Sequence, residues 1–405
     1  MNLKLAFLNL FRHRTRSALS LLTISGAIVS VVVFRGYSYN IIQGLRIFGV
    51  ESQFGHLQIG NEKLWAPSSE KLKDQLSELS ENSKKIVSEL PGFVSISPRL
   101  SLQALVSKGD RQFGAQLVGY DPDQEKSIFK AVKLFGGGAF PSNDVQEILL
   151  GTGLQSRLKA ENGETVSIVT QTVDGVVNAI DLTVRGTFQT SLAEVDNQVA
   201  YVPLKIAQTL LDTDKIENWV IRVADMDGIL SEKESFQAKI KSSQPELTVK
   251  TWRDLASLYN QVQEFYDVQN FIIQCILSSL TILAVLNTVG MTVFERTGEI
   301  GTLRSLGLRR QEIVFQFLSE GILLSLFASV IGSVLAVLVS GLINASGFSM
   351  QLPGSSVPVP IRVTFVPSAY GIAIVLGLVS TLIGTIIPAW RASKLPIVDA
   401  LRRNI

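Results

Sequence analysis

Cysteine is nearly absent from this chain. Cys275 is the only one in 405 residues and lies inside an apolar run, so no disulfide framework can form within the chain. Histidine is almost as scarce. His13 and His56 stand far apart, and no histidine or cysteine cluster has metal-ligand spacing. Charge is also low, at 18% of residues, where a soluble domain carries about 25%. The net charge of +2 gives no global attraction to nucleic acid. Gly136, Gly137 and Gly138 are not followed by Gly-Lys-Ser/Thr, so they form a surface loop and not a phosphate loop. Asp121 and Asp123 open like a cation loop, but no acidic partner follows at the right distance. Nothing resembles a nucleophile elbow or a catalytic triad. These absences argue against an active site, a metal or a bound cofactor in this chain.

What is present is apolar and unevenly distributed. The chain is 46% hydrophobic, and its mean hydropathy is +0.29. Long charge-free runs alternate with ordinary soluble sequence, the pattern of a membrane protein with a sizeable aqueous domain. Residues 1–15 place Leu3, Ala6, Phe7, Leu10 and Phe11 on one helical stripe with basic residues off it, which predicts an amphipathic helix in the membrane interface. The apolar run at residues 17–34 is long for a signal peptide, and no small-residue cleavage site follows. We read it as a retained first span with its N-terminus inside, within residues 16–42. A second charge-free run covers residues 271–293, and in residues 313–361 only Glu320 is charged. Every segment expected inside is arginine-rich, whereas the short outside loop has only Arg362. The predicted fold class is therefore an α-helical membrane protein with four transmembrane helices, both termini inside. A large extracytoplasmic α+β domain separates the first helix from the second.

That domain is expected over residues 43–250. Alternation predicts strands near residues 55–60, 93–108, 112–120, 165–170, 179–188, 199–202, 219–223 and 247–250. Helical spacing predicts helices over residues 68–90 and 231–242. Two subdomains are expected, with a boundary near residues 120–145. A stalk and second span follow over residues 251–294, free of glycine and proline as far as residue 289, so one helix is expected to run through. A coupling segment covers 295–312, a third span 313–343, an outside loop 344–368, a fourth span 369–388 ending at Pro388, and an inside tail 389–405. Ala373, Gly377, Ser380 and Gly384 recur at spacings of three and four, which permits close helix packing. Glu320 is either interfacial or paired with an arginine of the preceding loop.

The segment at residues 294–312, FERTGEIGTLRSLGLRRQE, is the most informative stretch. A topogenic role would account for its arginines alone. Gly298, Gly301 and Gly307 could also bound a short helix, which suits a docking element. The stretch is similar to the E-R-x-x-E-I-G-x-x-R-A-L-G-A signature of the FtsX-like permeases of ABC transporters, the type VII group that includes MacB, LolC and LolE. The matching positions are Glu295, Arg296, Glu299, Ile300, Gly301, Arg304, Leu306 and Gly307. Gly298 stands where a basic residue is frequent, and Ser305 where alanine is usual. PAWRASKLPIVDALR, residues 388–402, matches a second signature, and residues 55–59, GHLQI, lean toward LolC and LolE.

The resemblance covers the whole length and implies a non-catalytic permease subunit of a bacterial inner membrane. Glu295, Arg296, Glu299, Gly301, Arg304, Ser305, Leu306 and Gly307 would couple it to a separate cytoplasmic ATPase present in two copies, which would hold ATP and magnesium. The partners implied are that ATPase, a second permease copy or a paralogue, and membrane lipid, with an adaptor, a lipoprotein or a chaperone as further candidates outside. No nucleic acid is implied. Candidates for the dimer seam or substrate are Leu22, Val29, Val33, Ile276, Leu280 and Leu283. The activity implied is mechanotransmission, in which ATP hydrolysis drives an extracytoplasmic change that releases or expels a lipoprotein or another amphiphile. Alternatives are MacB-like efflux of peptides or antibiotics with an adaptor, and FtsX-like control of a cell-wall hydrolase without transport. A membrane-anchored binding protein without an ATPase is a further class.

Overall fold

A computed structural model describes residues 14–66, 72–125, 132–138, 140, 142–224, 228–351, 355–394 and 396. Most of the expected interfacial helix, and the tail beyond residue 396, lie outside the described residues. The chain divides into two compact units. One is helical (residues 1–42, 262–349 and 360–405) and the other mixed (43–261 and 350–359).

Five helices matter for function: α1 Arg14–Phe48, α2 Ser257–Glu295, α3 Thr297–Ser305, α4 Arg310–Ser346 and α5 Pro367–Ser393. All but α3 are long and apolar enough to cross a membrane. They correspond to the four charge-poor runs of the sequence. The helix expected to run unbroken from residue 251 is interrupted at Ala256, whose ψ of 66° ends a short turn of helix, Trp252–Leu255, before α2 begins. That turn has its own capping box: Thr251 and Asp254 satisfy each other's backbone N–H groups. α5 does not stop at Pro388 but continues to Ser393. Ala389 and Ala392, both fully buried, carry it onward by packing with Ile300 and Phe317, enough to override the missing donor of Pro388.

Within the helical unit, α5 is the common contact. Ala373, Gly377, Ser380, Thr381, Gly384 and Thr385 form its buried stripe. Gly377 lies against Ile24 and Ile28 of α1, and Gly321 of α4 against Thr381 and Thr385. A Cβ at Gly384 would stand 2.8 Å from the Ile282 carbonyl of α2 and 3.0 Å from Val285. Hydrogen bonds join α1 to α2 at two levels, and the side chains of Tyr37 and Tyr266 are bonded close to the second. Ser20 Oγ donates to Thr288 Oγ1 at 3.0 Å, and Asn270 Nδ2 donates to Ser38 Oγ at 3.3 Å. Eighteen residues separate the bonded positions on each helix, about 27 Å of axis. Asn344, near the end of α4, clamps the backbone of Val363 by donating to its carbonyl at 3.0 Å and accepting its N–H at 2.8 Å.

The mixed unit is built on one ten-stranded sheet. Its strands are β1 Leu57–Asn61, β2 Phe93–Lys108, β3 Arg111–Tyr120, β4 Lys133–Gly136, β5 Glu147–Gly151, β6 Thr165–Gln171, β7 Val177–Gln189, β8 Val199–Pro203, β9 Asn218–Val223 and β10 Leu247–Thr251. The order is β10-β1-β9-β2-β3-β8-β5-β7-β4, and β6 pairs with β2 and β7. The sheet's pairing runs on across the segment at residues 120–145, because β3 pairs with β8 and β8 with β5. Alternation sets the faces. Leu100, Leu102, Ala104 and Val106 of β2 enter the main core, while Ser101, Gln103, Leu105 and Ser107 look the other way.

Of the helix expected over residues 68–90, residues 68–71 lie outside the described residues, and the rest holds two short pieces, Leu72–Gln75 and Glu81–Ser88. Between them Ser77 bridges to Ile216, and Ser80 caps the second piece. β5 ends on Gly151 because of close approach: a Cβ there would collide with the Asp196 backbone. Asp121 accepts the backbone N–H of Asp123 at 3.0 Å, so it caps a turn of helix. No group of residues suited to a metal ion occurs among the described residues.

His56 precedes β1 and is 7% exposed. Its Nδ1 accepts the N–H of Val223 at 3.3 Å, which requires an unprotonated nitrogen there. Burial, with Arg222 and Arg46 nearby, lowers its pKa to about 4. The unfolded chain therefore binds the proton first, and stability should fall as pH drops from about 6.5 toward 4. His56→Gln should flatten that pH dependence in denaturant unfolding; an unchanged slope would contradict the assignment. A second prediction concerns α5. Gly384→Val should destabilise the bundle by about 1–3 kcal/mol through overpacking. Gly371→Ala should be neutral in the same thermal-unfolding assay, because a Cβ there meets nothing within 4 Å.

Candidate functional site

The site forms where α2 ends. Arg296 leaves helical geometry, with φ −95° and ψ 15°, so the chain turns between Glu295 and Thr297. Thr297 Oγ1 secures the turn by donating to the carbonyls of Val293 at 3.0 Å and Phe294 at 2.8 Å. α3 then lays one side on the helical unit: Thr297, Gly298, Ile300 and Gly301 are buried. Ile300 joins Val293, Ile313, Phe317, Ala389 and Ala392 in one apolar cluster. Two small residues on that side allow the close approach.

The guanidinium of Arg296, 11% exposed, is the electrostatic anchor. Its Nη1 donates to both carboxylate oxygens of Glu320, at 3.0 and 3.2 Å, and its Nε donates to Glu299 at 3.1 Å. It also lies 5.7 Å from the centroid of the Phe317 ring. Of the two readings open for Glu320, pairing with a preceding arginine is the one realised. Glu320 lies 24 positions away on α4, so the pair ties the start of α3 to the body of α4. A charge-assisted pair this poorly solvated tolerates neither partner alone.

α3 ends in a glycine cap. Gly307 has φ +96°, in the left-handed range, and its N–H donates to Arg304 O at 3.1 Å. Leu308 N–H donates to Leu303 O at 3.2 Å. Glu312 then accepts the Arg309 N–H at 2.7 Å and starts α4. The coupling residues named from the sequence therefore divide. Arg296 and Gly301 face inward. Glu295, Glu299, Ser305, Leu306 and Gly307 face outward, and Arg304 is half-buried. Leu306 is 75% exposed at the tip. Sequence reasoning missed the supporting contacts from Phe317, Ala389 and Ala392, whose only sequence signal was their apolar spacing on α4 and α5.

The seam candidates also divide. Leu22, Ile276, Leu280 and Leu283 are exposed, whereas Val29 and Val33 are half-buried. Val29 packs within the chain against the cluster of Ile24, Ile28 and Ala373. α2 is the least covered of the four apolar helices: only 11% of its most apolar window is buried, against 33–44% for the others.

Residues 17–238 match the family model of the MacB-like periplasmic core domain, and residues 271–397 match that of the FtsX-like permease C-terminal region. The chain belongs to this family of ABC transporter permeases. Among its relatives is the lipoprotein-releasing system transmembrane protein LolC of Neisseria meningitidis, 28% identical over 77% of this chain and 78% of that protein. The macrolide export ATP-binding/permease protein MacB of Bdellovibrio bacteriovorus is 23% identical over 98% of this chain and 60% of its own length. An uncharacterised ABC transporter permease of Bacillus subtilis, YvrN, is 25% identical over 99% of both chains. Among solved structures, the periplasmic region of MacB from Actinobacillus actinomycetemcomitans covers 55% of this chain and 98% of its own, at TM-score 0.39 and 16% identity.

The anchor predicts a ranking. Glu320→Gln leaves the guanidinium with a single carboxylate, the exposed Glu299, and should cost on the order of 2 kcal/mol in local stability. Trypsin should then cut after Arg304 and Arg309 several-fold faster in the solubilised protein. Glu299→Gln should change the rate little, because that carboxylate is 43% exposed. Equal acceleration in both variants would mean that Glu320 does not anchor α3.

Proposed function

We propose that this chain is the membrane subunit of an ABC transporter in a bacterial inner membrane, with both termini in the cytoplasm and the mixed unit outside. In this reading α3 is the coupling helix. The observation that carries it is the division of α3 into a fixed side and a free tip. Arg296, Ile300 and Gly301 hold the helix to the bundle, while Ser305, Leu306 and Gly307 project at its end beside exposed Arg309 and Arg310. A short anchored helix with an apolar tip and a basic margin is suited to a cleft on a cytoplasmic ATPase. That ATPase would bind ATP and magnesium in two copies, and this chain would supply none of the hydrolytic groups.

α2 supports a dimeric reading. Its apolar, little-covered surface, including Ile276, Leu280 and Leu283, would pack on a second copy or a paralogue, or face lipid. ATP-driven closure of two such subunits would be carried outward by α1 and α2, so that cargo need not pass through the bilayer. Release of a lipoprotein or a similar amphiphile is the first reading, on the likeness to LolC. MacB-like efflux with an adaptor is the second, favoured by the alignment to MacB over nearly the whole chain.

Affinity purification from native membranes in mild detergent tests this. A separate ATPase should co-purify with the natural chain and be lost with Leu306→Asp, while the four-helix unit keeps its helical circular dichroism. Acylated proteins in the same preparation would point to lipoprotein release, and an adaptor with an outer-membrane channel to efflux. Retention of the ATPase at full stoichiometry with Leu306→Asp would overturn the role given to α3.

A further inference from the structure

A groove in the mixed unit is used by nothing described so far. Its inner chamber, about 270 Å³, is lined by Arg99, Ser101, Gln116, Tyr201, Glu217 and Asn218, among others. A second chamber, about 320 Å³, shares Phe48, Gln53, Phe54, Gln116, Val195 and Val199 with it. A third, more open, holds about 740 Å³ and shares Ser101, Gln116 and Glu217 with the first. Gln116 lines all three, so the chambers meet at that side chain.

The first chamber lies over the sheet face turned away from the main core, and the third reaches from that face to Leu102, Ala104 and Leu211 of the core side. On the face turned away, β2 presents Ser101, Gln103 and Leu105, and β3 presents Gly114, Gln116 and Val118. Gln103 stands opposite Gln116 in register, and Leu105 opposite Gly114. Gly114 leaves a notch, because a Cβ there would meet nothing within 4 Å. Same-face side chains along a strand recur about every 6.7 Å. That is also the two-residue repeat of an extended peptide, and along this face polar Ser101, Gln103 and Gln116 are flanked by apolar Leu105 and Val118.

The lining carries little charge despite its polarity. Arg99 is neutralised by Glu125, with which it forms a buried pair, and it also donates to Gln53 O. Burial pushes the Glu217 carboxyl up toward its neutral form, and Ser101 N–H donates to it at 2.9 Å. Glu194 lies at the exposed margin. The remaining polar groups are mostly carboxamides: Gln53, Gln58, Gln116 and Asn218. Asn218 donates to Gln58, but its Oδ1 is buried with no partner among the described residues. A buried acceptor left open is costly unless an N–H reaches it. Phe48, Phe54, Trp65 and Tyr201 add aromatic wall.

We propose that this groove binds an extended, uncharged stretch of polypeptide, its amides exchanging hydrogen bonds with the carboxamides and its side chains lying on the aromatic wall. Phe48 closes α1, and Leu258 and Tyr259 open α2, so an occupant of the second chamber touches the ends of two long helices. As a substrate-facing groove of the permease it rests on the reading above; the binding itself does not.

Cysteine protection in the full chain tests it. On a Cys275→Ser background, Gln116→Cys puts the only thiol at an exposed strand position in the groove. Gln112→Cys puts it on the same strand outside the lining. An acetylated, amidated, uncharged heptapeptide should slow maleimide labelling at position 116 at least fivefold and leave position 112 unchanged. No slowing at millimolar peptide, or equal slowing at both positions, would overturn the proposal. So would equal protection by an uncharged glucan oligomer, or by added phospholipid without peptide. The labelling needs no ATPase, so its failure leaves the permease reading standing.

Discussion

Helices in an apolar medium gain nothing from hiding apolar surface from one another, so they must fit closely. In this chain that constraint falls on α5. Its stripe of glycine, alanine, serine and threonine lets Ile24 and Ile28 of α1, Val285 of α2 and Gly321 of α4 approach the same helix. Thr381 and Thr385 return their hydroxyls to their own helix, donating to carbonyls four residues earlier at 2.7 Å, so the stripe presents methyls and backbone. The same helix then continues past Pro388 to reach α3 through Ala389 and Ala392. One narrow helix surface thus sets the packing of the long helices and the seat of α3.

On that seat a single cation decides which parts of α3 are fixed. Arg296 is shielded enough that its charge must be answered nearby, and Glu320 and Glu299 answer it from two directions. The apolar cluster beneath supplies adhesion, and the ion pair supplies orientation. What remains outward at the tip is short: a serine, a leucine, a glycine in left-handed geometry and two arginines.

Much of this was legible in the sequence. Charge-free runs marked the four long helices, and the spacing of Ala373, Gly377, Ser380 and Gly384 marked the packing stripe before any partner was known. Eight of the ten strands of the mixed unit followed from alternation. Other features depend on partners distant in sequence. Nothing local to β4 marks it as a strand, because its four residues are all exposed and it exists by pairing with β7. The break inside residues 68–90 comes from the bridge of Ser77 to Ile216, which no helical periodicity records. The π-helical turn Gly49–Phe54 that follows α1 is likewise invisible, since Gln53 owes part of its setting to Arg99 on β2. In the site, the signature residues were readable but their division into inward and outward was not, because it depends on Glu320 and on two alanines of another helix.

Hydrogen bonds at two levels between α1 and α2 constrain how these helices can move. Ser20–Thr288 and Ser38–Asn270 are separated by the same number of residues on both helices, like two rungs of a ladder. Sliding one helix along the other by a single 1.5 Å step would strain both rungs together. Swinging the helices apart about one rung strains only the other. The pair is therefore stiff as a piston and compliant as a lever, and a force applied at one end would reach the other as a change of angle.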